Sequence, residues 1–197
     1  MKTYLHQLNN PLTPSYQDFK SLVKSANFPW FWQETCAIDY KDSSFTQAGV
    51  LENMLHRSNE DTDEHENHGY YTHTFLKGPD SNEFLYPEKN SQYISLFHQV
   101  VSEILKYNKI DIKTIYRMSV NCEHPTEKGL PDLPHYDHHW PHENLLIYLS
   151  NPQNGYTVVE GEKYLGKEDD VILFNGLHYS FPPSKDRRLV SVTTFLR

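Results

Sequence analysis

The sequence predicts a mainly β protein with flanking helices, its core a small antiparallel barrel or jelly roll. Two observations carry this. Between residues 113 and 197, short segments of strand character follow one another: TIYRMSVN, NLLIYLS, YTVVEG, DDVILFNG, HYSF and RLVSVTTFL. Turn material such as NPQNG, GEKYLGKEDD and PPSKD separates them, and no helical period intervenes. Ahead of them, apolar residues recur at helical spacing in two separate stretches. The expected layout is one domain over 1–197, with helical and loop support in 1–110 and the barrel with its site in 111–197.

Along the chain, Thr13 can cap a helix with Pro14 at its first position, and Tyr16, Phe19, Leu22, Val23 and Ala26 then share a face. Phe28-Pro29-Trp30-Phe31-Trp32 is apolar enough to read as a lid over the core. The segment SNEDTDEHENH, 58–68, has no period and reads as a loop with a solvated acidic face. His65, His68 and His73 count with it as polar loop residues. A second helix is expected from about Ser91 to Tyr107, with Ile94, Phe97, Val100, Val101, Ile104 and Leu105 on one side. In the first barrel strand Tyr116 and Arg117 must face opposite ways, and Tyr116 or Asn121 is expected to reach a bound co-substrate.

Composition narrows the function. The 197 residues suffice for a core that needs no staples. Eighteen Lys and Arg against 26 Asp and Glu leave a formal net charge of −8, which argues against unaided nucleic-acid binding. A mean hydropathy of −0.72, with no run of about 18 apolar residues, predicts no membrane-spanning helix. Cys36 and Cys122 cannot build a disulfide framework and are expected to be buried thiols. The opening MKTYLHQLNNPLTP lacks the apolar stretch of a secretory signal, so the cytosol is the expected location. Aromatic residues at 14% speak against disorder.

The chemistry concentrates around His135-Tyr136-Asp137, just ahead of NLLIYLS. Side chains one residue apart on an extended segment face the same way, so His135 and Asp137 can both face the barrel interior. His178 follows the strand DDVILFNG, and Arg187 and Arg188 come nine and ten residues later, opening the last strand. Two imidazoles and one carboxylate on one side of a metal leave the opposite positions open, the ligand set of non-haem Fe(II) oxygenases. An arginine at the barrel mouth can fork onto a carboxylate, so a dicarboxylate co-substrate could chelate the metal at one end and meet a guanidinium at the other. His-x-Asp alone is a weak signal in a chain with 12 histidines; order and context strengthen it.

On these residues, His135-x-Asp137, His178 and a late arginine, the stretch 115–197 resembles the 2-oxoglutarate- and Fe(II)-dependent oxygenases, within them the compact prolyl-4-hydroxylase-like group. FPWFW, the helix at 91–105 and NGYT at 154–157 are more loosely similar to small phage-encoded members, which would place the protein in a host cytoplasm. The resemblance implies a double-stranded β-helix in which His135, Asp137 and His178 bind iron and Arg188, or Arg187, holds the far carboxylate of 2-oxoglutarate. It implies that the Tyr148 phenol meets the same carboxylate, and that O2 is consumed with ascorbate in support. Many relatives carry a Gly-Gly pair where this chain has Gly155-Tyr156. Because Asp137 occupies the position that halogenases leave to halide, hydroxylation of a peptide, protein or small molecule is the implied outcome. His138, His139 and His142 are read as polar loop residues, with His138 or Trp140 available to a substrate. The alternatives are a cupin-type metal enzyme without 2-oxoglutarate and a non-catalytic jelly-roll binding protein.

Overall fold

A computed structural model describes residues 5–34, 64–66, 68–78, 87–138 and 140–197. The elements run β1 (Leu5–Leu8), α1 (Pro14–Lys24), β2 (Phe31–Gln33), β3 (Tyr70–Lys77), β4 (Glu88–Lys89), α2 (Ile94–Tyr107), β5 (Thr114–Glu123), β6 (Glu143–Tyr148), β7 (Thr157–Val159), β8 (Glu162–Tyr164), β9 (Val171–Phe174), β10 (His178–Ser180) and β11 (Arg188–Leu196). The large antiparallel sheet has the order β1-β9-β6-β11-β5-β3-β2, with β4 beside β3, and a small sheet has the order β10-β7-β8. This is the mainly β jelly roll with flanking helices that the strand pattern predicts.

Strand alternation splits the interior into two layers. From β5, Met118, Val120 and Cys122 join Leu145 and Ile147 of β6 and Phe195 of β11 on the outer face, where the helices cover them. Leu146, Tyr148, Ile172, Phe174, Val190 and Val192 point inward and form a second cluster with Val159 of the small sheet. Thr13 caps α1 by accepting from the Tyr16 amide at 3.3 Å, and Pro14 takes the first turn as expected. Phe19 of α1 stacks on Phe97 of α2 with ring centroids 4.5 Å apart. Glu160 (φ 47°) and Gly161 (φ 81°) give β7 and β8 a two-residue hairpin turn.

Three local expectations change. The first half holds strands β1 to β4 besides its helices; β1, β2 and β4 have four residues or fewer, too few to show an alternation, while the eight-residue β3 lies inside the sheet between β5 and β2. His73 is not a loop residue: it lies buried in β3, its Nδ1 donating to the Pro29 carbonyl and its Nε2 accepting from Ser91 Oγ, both at 2.8 Å. The FPWFW lid is only half a lid. Phe28 is buried and Trp30 packs beside it, whereas Phe31 and Trp32 are 58% and 55% exposed on the edge strand β2. Cys36, His139 and most of the acidic stretch lie outside the described residues.

Candidate active site

The segment carrying His135 and Asp137 reaches its place through main-chain pairing. His135 and His178 exchange backbone hydrogen bonds of 2.9 and 3.0 Å, an isolated bridge that lays the segment against β10. Their ring centroids come to 4.6 Å, and one donor atom from each of His135, Asp137 and His178 lies within 4.8 Å of the others. Each imidazole is held by its far nitrogen: His135 Nδ1 donates to the Leu133 carbonyl at 2.9 Å and His178 Nδ1 to the Gly176 carbonyl at 3.0 Å. Both Nε2 atoms are thereby turned to the shared space, the outer-shell arrangement that orients metal-binding histidines. Gly176 sits at φ +115°, and a Cβ there would run into the Glu160 side chain, so the bend that delivers this carbonyl requires glycine.

Asp137 is equally fixed. Its Oδ1 pairs with the Arg117 guanidinium, and its Oδ2 accepts from Asn144 Nδ2 at 2.7 Å and lies 3.4 Å from His178 Nε2. Asn144 is oriented in turn by Thr194 Oγ1, which donates to its carbonyl oxygen at 2.8 Å. Burial pushes the Asp137 carboxyl up, but Arg117 and the two histidines outweigh it and hold the group well below the usual carboxylate range. Burial, then the neighbouring His178, pushes His135 down, which favours the neutral imidazole that metals bind.

These three residues line a cavity of about 110 Å³ that opens between the two sheets. Its wall is polar along β5 through Arg117, Ser119, Asn121 and Glu123, and apolar at Leu146, Phe174, Val190 and Val192. Arg188 reaches in from β11, 2% exposed, with Nη1 on Glu123 Oε1 at 2.5 Å and Nη2 on Thr157 Oγ1 at 2.7 Å. Its Cζ lies 5.6 Å from the centre of the Tyr148 ring, whose hydroxyl is 2.6 Å from Thr157 Oγ1.

Of the residues singled out in the sequence, His135, Asp137, His178, Arg188 and Asn121 share this cavity. Tyr148 lies behind it, against Arg188 and Thr157. Tyr116 and Arg187 do not line it: Tyr116 meets the rings of His138 and Trp140, each 5.9 Å away, and the Arg187 charge acts on the Cys122 thiol on the other face of β5. Cys122 is a buried free thiol, pushed up to about 11 by burial. Asn144, Thr157, Glu123 and Asp132 belong to the site and were not singled out; Arg117 was named only for its strand phase and His68 only as a polar loop residue, yet Arg117 lines the cavity and His68 Nε2 lies 2.9 Å from Asp132 Oδ1. A signal for Arg117 existed. Placing the apolar set Met118, Val120 and Cys122 on the core side turns Arg117 and Asn121 inward together and Tyr116 away from them.

No protein-family model and no curated protein sequence matches the chain. Solved structures do. An oxidoreductase of the 2OG-Fe(II) oxygenase family from Burkholderia pseudomallei superposes with a TM-score of 0.51 at 12% identity, over 99% of this chain and 96% of that one. The fold is the one that oxygenase uses. A prolyl-4-hydroxylase from Pseudomonas putida aligns at 13% identity with a TM-score of 0.41, over 94% of this chain and 100% of its own. A prolyl hydroxylase from Trichoplax adhaerens, in complex with a hypoxia inducible factor peptide fragment, aligns at 13% identity with a TM-score of 0.44, over 95% and 96% of the two chains.

Proposed function

We propose that the chain is a 2-oxoglutarate- and Fe(II)-dependent oxygenase of the compact prolyl-4-hydroxylase-like group, hydroxylating a C–H bond of a peptide, protein or small molecule in the cytosol. The observation that carries this reading is the convergence of His135, Asp137 and His178 donor atoms in a cavity that also holds the buried Arg188. The donor set fits iron. Two imidazoles locked with Nε2 toward the shared space and one ionised carboxylate leave room for further ligands on the cavity side. When bound, iron and 2-oxoglutarate supply activation of O2 coupled to decarboxylation of the co-substrate to succinate and CO2, with ascorbate in support.

The chain's own residues supply position and dryness. Arg117 and Asn144 fix the Asp137 carboxylate, and the Leu133 and Gly176 carbonyls fix the imidazoles. Arg188, seated on Tyr148 and Thr157, is the anchor for the distal carboxylate of 2-oxoglutarate, and Asn121 contributes to the wall. Leu146, Phe174, Val190 and Val192 keep water from the interior. With a net charge of −8, a peptide or small molecule ranks above a nucleic acid as substrate.

The test is succinate formation from 2-oxoglutarate by anaerobically purified protein given Fe(II), O2 and ascorbate, with no other substrate. The visible charge-transfer band of 2-oxoglutarate on the Fe(II) protein is read anaerobically from the same preparation. Turnover or the band in the wild type, absent in Asp137→Ala, is the expected result; absence of both in the wild type overturns the reading. The second reading, a cupin-type metal enzyme that does not use 2-oxoglutarate, is favoured by one observation: Arg188 already carries a carboxylate, that of Glu123.

A further inference from the structure

The inner end of the cavity holds an ion pair that the proposed reaction does not use. Glu123, the last residue of β5, stands directly across the sheet from Arg188, the first residue of β11. Its Oε1 takes Arg188 Nη1 at 2.5 Å, Thr157 takes Nη2, and Nε meets no acceptor among the described residues. Both side chains are almost fully buried, at 3% and 10% exposed. The other Glu123 oxygen lies 3.3 Å from Ser180 Oγ, and that hydroxyl donates to Asp132 Oδ2 at 2.7 Å. The guanidinium offered to an incoming acid is thus occupied by an acid of the chain's own, with a second carboxylate close behind.

Two consequences are steric and electrostatic. The Glu123 carboxylate sits on Arg188 Nη1, in the place an incoming carboxylate would take, so the two cannot occupy that donor together. A second carboxylate brought to the same buried donors meets like charge at close range, which is the repulsive element that rejects a ligand.

We propose that Glu123 is a specificity residue of the co-substrate site, an internal carboxylate that a co-substrate acid must displace from Arg188 in order to bind. The inference rests on the reading of this cavity as a 2-oxoglutarate site. The displaced side chain moves toward Ser180 Oγ, 3.3 Å from its second oxygen, and toward the Asp132 carboxylate, which His68 partly offsets, so the displacement carries a cost. The displacement falls equally on every acid. A monocarboxylate with only Arg188 to hold it does not overcome it, whereas a dicarboxylate also held at the metal end does. Glu123 acts through Arg188 and is a positioning residue.

The experiment compares wild type with Glu123→Gln as anaerobic Fe(II) proteins titrated with 2-oxoglutarate, read by the visible band and, separately, by the rise in melting temperature. Removing the competing charge is expected to tighten 2-oxoglutarate binding about tenfold. The ligand-free variant should melt lower than wild type, because Arg188 is left buried without its partner, and 2-oxoglutarate should raise its melting temperature more than it raises that of the wild type. Tighter binding in the variant, or binding in the variant alone, supports the proposal. Equal or weaker binding in Glu123→Gln with normal binding in the wild type makes Glu123 a plain structural counter-ion and overturns it. No binding by either protein overturns the proposed function and this inference with it. Should Glu123→Gln fail to fold, Glu123→Asp decides: its carboxylate is one methylene further from Arg188, and tighter binding supports the proposal while unchanged or weaker binding overturns it.

Discussion

Asp137 shows how much of a candidate metal ligand's character lies in the residues behind it. Its carboxylate has Arg117 on one oxygen and Asn144 on the other, and Thr194 stands behind Asn144. Removing such an outer partner typically lowers metal affinity about 10–100-fold, and Arg117→Leu is expected to fall in that range in an equilibrium Fe(II) titration. The sign of the pH effect follows from the depressed Asp137 carboxyl. Without Arg117 that group rises, so the variant should lose metal at a higher pH than wild type as the solution is acidified. The two late arginines separate cleanly. Arg188→Ala is expected to abolish the 2-oxoglutarate band and Arg187→Ala to leave it intact, because only Arg188 enters the cavity. The sequence left these two side by side, and a one-residue choice of strand phase was what it lacked. The ligands themselves were legible, since His135 and Asp137 needed only local alternation, whereas Arg117 needed the face of β5 to be settled against its apolar neighbours.

At the scale of elements, the helices act as a clamp on the outer face of the large sheet. Thr13 and Ser15 at the start of α1 both hydrogen-bond the Glu103 carboxylate of α2, and Phe19 stacks on Phe97 below them. A second tie joins α1 to the loop before β9, where Lys20 meets Glu168 at 2.7 Å and Asp169 at 2.6 Å. Phe19→Ala removes a fully buried ring at the centre of this clamp and should destabilise the fold by about 3–5 kcal/mol, measured by urea unfolding of the metal-free protein. Helix α1 was readable from the Thr13-Pro14 start and its apolar face, β5 and β11 from their β-branched residues, and β6 from its short apolar run. The helix expected from Ser91 begins at Ile94, because Ser91 Oγ accepts the Tyr93 amide at 3.2 Å and forms the lead-in turn. Strands β1 and β2 escaped notice because four and three residues are too few to show an alternation.

For the whole molecule, buried His73 and half-buried His68 give stability opposite dependences on pH. Burial holds His73 below its ordinary value, so its contribution is present above about 6.5 and is lost as the pH falls through the lowered folded value. His68 is raised chiefly by its hydrogen bond to Asp132, so its contribution is complete below about 6.5 and is lost as the pH rises through the raised value. The melting temperature of the metal-free protein should accordingly fall on acidification from pH 7 to pH 5 less steeply in His73→Gln than in wild type. On the alkaline side, His68→Gln should flatten the decline between pH 6 and pH 8. Sheet order carries a further consequence, for the way the chain is made. Leu5–Leu8 form an edge strand of the described sheet that pairs with Val171–Phe174, so β1 waits for a strand made long after it. During synthesis β1 has no partner strand until β9, which also pairs with β6 beside the candidate site, has emerged. Pairings this distant slow a fold toward the millisecond-to-second range, and they place closure of this edge after synthesis of β9.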